Sequence, residues 1–423
     1  MRSISHYSHH HWQTVWGAVI EYTLGPLIRE GVQVHNAHTD EDYVVTMDVA
    51  WRVEDSKGTA AAIGCSQFPA YNGSCCQCQV IGVRKYNAMT YPGDVTHLPE
   101  DDPLRYEFSN AYAADEELWA LAFDAPPSAW VLRDVLKRGK QVSRGDRTAK
   151  EAGWKFEDVL TPAGLSVDGG RTPWNKIHRT ILDPDHQFHN FVKNVICIVG
   201  NLKHMAFTKV KRKGEWKLDR FTAEKVPFHA NIDCQARINH LCVTLKLPNG
   251  WPALSPLFTD CSKFKIAESL ALCGDRGVHV YLFQFLDIDE RTRQVLIKSL
   301  TIFGELLQKV PSSDARLTAI QEELVVCLAT LEFLLPLFWC TTTRHQLLHC
   351  VLFITRAGSI WAHNMLKFER MHCLLKDMVR GYKNLMQSVA NTYTLLLSSL
   401  LGWQFNGEDK YVYKLNRIHL CLV

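Results

Sequence analysis

The spacing of apolar residues changes character along the chain, with short strand-like and loop-rich stretches first and helical periodicity from about residue 176 onward. Trp16 to Glu30 is largely apolar, is broken by Gly25-Pro26, and leads through Gly31 into Val32-Gln33-Val34. Tyr43 to Val53 is rich in β-branched and aromatic residues and predicts a strand. It ends at Glu54-Asp55, and the alanine-rich Thr59 to Ile63 predicts a helix capped by Asp55 or Ser56. Asp55 is therefore expected at a strand-to-helix junction. Residues 64–110 carry many glycines and prolines and read as loop, and residues 111–163 read as helices joined by a basic stretch. Helices are predicted over Phe188–Leu202, Ile232–Leu247, Ser262–Cys273, Gln294–Lys309, Asp314–Leu335, Arg344–Thr355 and Met365–Asn391, with a hard break at Pro248–Pro252.

Composition narrows the class. The chain has 423 residues, of which 47% are hydrophobic and 22% charged, enough for a sizeable core and two or three domains. A net charge of +3 imposes no large basic field, so any nucleic-acid partner must be met by local patches. The 14 cysteines are scattered and several sit in apolar runs, which favours reduced intracellular thiols over a disulfide framework. The N-terminus lacks the apolar core of a signal peptide. Leu324 to Cys340 is apolar but contains Glu332 and Pro336 and falls short of the ~20 residues of a membrane span. It predicts a buried core helix.

Five groups of residues carry candidate chemistry. Asp55 at a strand end could hold a divalent metal, or simply cap the following helix. Cys75 and Cys78 form a C-x-x-C pair, which is half a zinc site or two inert thiols. His97, His186 and His189 are candidates to complete it, and the spacing does not select among them. Asp183 and His186 form a D-x-x-H pair on the first turn of a predicted helix, where positions three apart share a face. Pro184 suits the first position of that helix. Glu369 opens a long amphipathic helix and is either a ligand or a solvated acid between Lys367 and Arg370. Lys209, Lys211, Arg212 and Lys213 form a basic cluster with Trp216 beside it, suited to phosphates and base stacking, to a solvated hairpin, or to a nuclear-localisation signal. P-loop, G-x-S-x-G, H-E-x-x-H and dinucleotide fingerprints are missing.

Taken in order, these groups resemble one family, the CACTA-type (En/Spm-like) DNA transposases. The resemblance begins at Leu24–Val32 and continues through Asp55, Ala60-Ala61-Ala62, Gly64, Gln67-Phe68, Tyr71, Gly73 and the Cys75/Cys78 pair. Gly82–Tyr86, Asp183–His186 and Phe264–Glu268 follow. His345, His349, Gly358, Trp361–His363, Phe368-Glu369, Leu374–Lys376 and Gly381 resemble the family's C-terminal helical domain.

That resemblance implies an α/β plus α fold, an incomplete ribonuclease H-like core interrupted by a large helical insertion. Residues 1–200 would form the partial core with its C-x-x-C loop, residues 201–340 a helical region, and residues 341–423 the C-terminal helical domain bearing Glu369. It implies Asp55 as the second catalytic carboxylate and Glu369 as the third, with Asp183 and His186 supporting or replacing a ligand. The cofactor would be Mg²⁺ (or Mn²⁺), with Zn²⁺ as a further candidate. The reaction would be strand cleavage and transfer at transposon ends in double-stranded DNA, in the nucleus, by a homo-oligomer and with no membrane partner. The family's first aspartate lies on a strand upstream of the Leu24 segment, whereas Met1 to Ile20 contains no acidic residue. The expectation is therefore a truncated or decayed copy, inactive alone, or a non-enzymatic DNA-binding or scaffold protein derived from a transposase.

Overall fold

The computed structural model describes residues 30–36, 38–45, 52–54, 75–85, 88–131, 134, 180–200, 210–212, 215–217, 228–249, 251–259, 264–274, 277–308, 313–335 and 337–360. The chain divides into two compact units, 1–364 and 365–423, and every described residue belongs to the first. The class is mixed: helices dominate, and the described strands form four separate two-stranded sheets with no closed sheet among them.

The strands come in hairpins, with one exception. β1 (Val32–Asn36) pairs antiparallel with β2 (Glu41–Val45), and β4 (Val83–Lys85) with β5 (Ala88–Thr90). β7 (Val210–Arg212) pairs antiparallel with β8 (Glu215–Lys217). The exception is β3 (Arg52–Glu54), which runs parallel to β6 (Thr180–Leu182), with Arg52 opposite Thr180, Val53 opposite Ile181 and Glu54 opposite Leu182. Parallel partners need a long crossover, and here 125 residues separate the strands. The predicted single strand Tyr43–Val53 is thereby corrected: its two described ends pair in different sheets.

Helices α1 (Pro103–Ala111) and α2 (Glu116–Leu121) follow β5. Next come α3 (Pro184–Val199), α4 (Ile232–Thr244), α5 (Ile266–Cys273), α6 (Val278–Phe283), α7 (Glu290–Leu306) and α8 (Asp314–Leu334). The last two described are α9 (Thr342–Leu347) and α10 (Cys350–Ala357). Their starts are written in the sequence. Asp102, Asp115, Asn231, Asp289, Ser313 and Thr341 each accept a backbone N–H from the first turn with the side-chain oxygen. Such caps satisfy donors that a helix start otherwise leaves orphaned. The predicted loop 64–110 is corrected in part, because Pro103 at the first position and Asp102 as cap start α1 inside it.

The core is built around α3, α7 and α8. Phe188 and Phe191 of α3 both meet Phe303 of α7 at 4.7 Å between ring centroids, and Phe191 also meets Trp339 at 5.2 Å. Gly304 allows α7 to approach closely: a Cβ there would lie 2.0 Å from the Cys273 carbonyl oxygen. Along α8, Leu317, Ile320, Leu324, Leu328 and Leu331 repeat at helical spacing, and Cys327, Ala329 and Glu332 are buried as well. A helix apolar on nearly all sides belongs inside the fold, as the Leu324–Cys340 stretch predicts. No helix among the described residues is long and apolar enough to cross a membrane.

Nine described cysteines are free and buried. Cys197 departs from the expectation of reduced thiols, being disulfide-bonded.

Candidate metal centre and strand-end carboxylate

Cys75 and Cys78 lie on a loop that is fastened from behind. Trp130 donates its indole N–H to the Cys75 carbonyl at 3.0 Å and its backbone N–H to the Gln77 carbonyl at 3.1 Å. Gln79 donates to the Ser128 carbonyl at 2.9 Å, and Cys78 forms a β-bridge with Ala129. These bonds turn both sulfurs toward the corner between α9 and α10. There His345, in α9, and His349, which caps α10, are four positions apart and project to the same side.

The four side chains converge. Cys75 Sγ lies 3.3 Å from His349 Nε2, and Cys78 Sγ lies 3.1 Å from His345 Nε2. All four ligand atoms fall within 4.8 Å of one another. A tetrahedral zinc with bonds of about 2.0–2.3 Å would place its ligands roughly 3.3–3.8 Å apart, so this donor set needs little adjustment to close on the ion. Two thiolates and two imidazoles also suit zinc chemically. The group is buried: Cys75, Cys78 and His345 are almost wholly shielded from solvent and His349 is half-buried.

Burial alone would raise the Cys75 thiol, but the hydrogen bond with Cys78, the charge of His349 and bonds from both histidines hold it well below its ordinary value. The hydrogen bond with Cys75, then burial and the Cys75 charge, push Cys78 well above. The pair thus gives up its first proton readily and holds its second, which a bound cation would displace.

A second layer surrounds the histidines. Asp94 Oδ1 lies 4.0 Å from His345 Nδ1, and Arg344 Nη1 contacts Asp94 Oδ2 at 3.0 Å. Arg344 Nη2 donates to Glu332 Oε2 at 2.9 Å and to the Tyr91 carbonyl at 3.0 Å. Glu332 also accepts the backbone N–H groups of Gly93 (2.8 Å) and Asp94 (3.0 Å). Gly93 adopts φ 117°, a conformation that side-chain-bearing residues rarely take, and so turns its N–H toward Glu332. Burial pushes Glu332 up, while Arg344 and the two N–H donors pull it back.

The strand-end group lies at the close of β6. Asp183 follows Leu182 directly, is fully buried, and is hydrogen-bonded to Nδ1 of His186 on the first turn of α3. The D-x-x-H pair is therefore assembled as its spacing predicts. Asp55 and Glu369 lie outside the described residues, as do Lys209 and Lys213. Lys211 and Arg212 lie in β7 of the basic hairpin, with Lys211 opposite Trp216 in the register.

The histidines expected to complete the C-x-x-C pair are corrected. His186 is engaged with Asp183. His189 bonds Ser269 Oγ at 2.8 Å and stacks on Phe264. His97 is close enough for its pKa to be affected by His345 and His349, yet does not belong to the four-residue cluster. His345 and His349 entered the sequence reading only among the residues of the family resemblance and not as ligands, since 267 residues or more separate them from the cysteines they meet.

No protein-family model, curated protein or solved structure matches this chain.

Proposed function

We propose that this chain is a transposase-derived, DNA-processing protein of the Mg²⁺-dependent cleavage and strand-transfer type. In this reading, the Cys75/Cys78/His345/His349 group holds a structural zinc, and the strand ends present the carboxylates of a separate divalent-ion site.

The observation that carries the reading is the parallel pairing of β3 with β6. Its register closes at Glu54 opposite Leu182, and the sequence continues each strand with an aspartate, Asp55 and Asp183. Parallel sheets bind ligands at the carboxyl ends of their strands. Divalent ions that clamp the attacking and leaving oxygens of a phosphodiester need carboxylates on rigid backbone. His186, bonded to Asp183, orients that carboxylate in this proposal. The protein's contribution is to hold these acids in place and to bring double-stranded DNA to them. Lys211 and Arg212 of β7, with Lys209 and Lys213 beside them in the sequence, are the proposed phosphate contacts.

The test combines binding with cleavage. The full chain is incubated with double-stranded DNA, and with supercoiled plasmid plus Mn²⁺. Salt-dependent binding together with Mn²⁺-dependent nicking that is lost in Asp183→Asn supports the enzymatic reading. Binding without nicking favours a non-enzymatic DNA-binding protein of the same descent. Absence of DNA binding at low salt sinks both.

A further inference from the structure

Gln77 sits between the two cysteines and reaches away from them. It is buried, and its side-chain Nε2 donates to the Thr180 carbonyl at 3.4 Å. Thr180 is the first residue of β6, the strand whose end leads into Asp183. The other end of the same amide, Oε1, accepts from Arg356 Nη1 at 2.9 Å. Arg356 lies on α10, the helix capped by His349. One side chain therefore touches three things: the cysteine loop, the helix that carries a histidine ligand, and the strand that carries the buried aspartate.

We propose that Gln77 is a positioning residue that makes the order of β6, and with it the placement of Asp183, depend on the Cys75/Cys78/His345/His349 metal centre. This rests on the metal-centre reading above. β6 is only three residues long and its described partner, β3, is equally short. So short a pair is marginal by itself and takes its order from what it packs against. A four-coordinate metal fixes the backbone between Cys75 and Cys78, which fixes Gln77. It also fixes the α9–α10 corner, which aims Arg356 at the Gln77 amide. The amide then has one orientation, with its oxygen toward the guanidinium and its NH₂ toward the strand. Loss of the metal frees the loop and the corner together, and the strand loses a donor on its buried carbonyl. The consequence is a carboxylate site assembled only when the structural metal is bound.

Two variants separate the contacts. Gln77→Ala removes both, together with the 3.5 Å contact of Nε2 with Cys76 Sγ. Gln77→Glu keeps an oxygen for Arg356 but has no donor for the Thr180 carbonyl. The full chain is purified with zinc, its zinc content is measured, and amide hydrogen exchange is followed at residues 180–183, with residues 296–303 of α7 as an internal control. In both variants zinc should stay at one per chain. Exchange at 180–183 should rise about five- to tenfold, as for loss of a buried hydrogen bond in a locally opening segment, and α7 should be unchanged. Removing zinc from the wild-type chain with a chelator should raise exchange at 180–183 similarly, and should add little in Gln77→Ala. Zinc bound with unchanged exchange at 180–183 in both variants overturns the coupling. So does a chelator effect at 180–183 as large in Gln77→Ala as in wild type. Absence of zinc from the wild-type chain overturns the metal centre itself, a distinct outcome.

Discussion

Asp94 reaches His345 from the nitrogen opposite the cysteines: its Oδ1 lies 4.0 Å from Nδ1, while Nε2 lies 3.1 Å from Cys78 Sγ. At 4.0 Å the carboxylate is within electrostatic reach of the ring and not hydrogen-bonded to it; drawn into a hydrogen bond as the ring closes on a metal, it would fix which nitrogen faces the ion and strengthen the ring as a ligand. It is held in turn by Arg344, whose Nη1 lies 3.0 Å from Asp94 Oδ2. Asp94→Asn is expected to weaken zinc binding by about 10- to 100-fold, the usual cost of losing such a partner. Competition against a chromophoric chelator measures this directly. An unchanged affinity would leave Asp94 with a purely structural role beside Arg344.

The centre joins segments that are distant in sequence, Cys75/Cys78 and His345/His349, so an ion bound there stabilises the native state alone. At a thousandfold excess over its dissociation constant such an ion adds about 4 kcal/mol. The melting temperature of the full chain is therefore expected to fall on chelation and to recover with added Zn²⁺ but not Mg²⁺, since two thiolates favour the softer ion. Cys75→Ser should melt low in both conditions. A melting curve indifferent to chelator and zinc would remove the centre from the account.

Arg344 bridges Asp94 and Glu332, and all three side chains are almost wholly buried. Removing one member of such a group leaves the others charged and unmatched, at a cost of about 3–5 kcal/mol. Arg344→Met should lower the unfolding free energy by that amount, read as a lower urea midpoint at an unchanged slope of the transition. The double variant Arg344→Met/Glu332→Gln should be less destabilised than Arg344→Met, because one stranded charge is gone. If the two variants unfold at the same midpoint, Glu332 does not depend on Arg344 for its charge.

The helices were legible because their signals are local. Apolar residues at helical spacing in α7 and α8 need no knowledge of distant residues, although the predicted start at Gln294 missed the first turn of α7 and its cap Asp289. Asp183 and His186 were legible for the same reason, lying within one turn. The metal centre was only half legible. The C-x-x-C spacing reports a loop, but the partners it meets are set by packing of α9 and α10 against it. Nor could the β3–β6 pairing be read from pattern, since two three-residue strands separated by a long crossover carry no periodic signal. The same holds for Gln77, whose role comes from contacts with Thr180 and Arg356 that sequence separation hides.

His189 gives the fold an acid limit. Burial first, then the charges of Lys193 and His186, lower its pKa from 6.5 to about 4, against a smaller opposing pull from Glu268. Above pH 6.5 the ring is neutral in the folded and unfolded chains alike, so it adds no pH dependence there. Between 6.5 and about 4 the unfolded chain binds a proton that the folded chain refuses, so stability falls as the pH falls. Below about 4 both states are protonated and this contribution levels off. His97, also lowered to about 4 mainly by burial, shares the window. His189→Gln is expected to flatten the decline in unfolding free energy between pH 6.5 and 4 without abolishing it, with urea titrations at several pH values as the measurement. A slope in that window equal to the wild-type slope would show that the unfolded and folded chains protonate this ring alike.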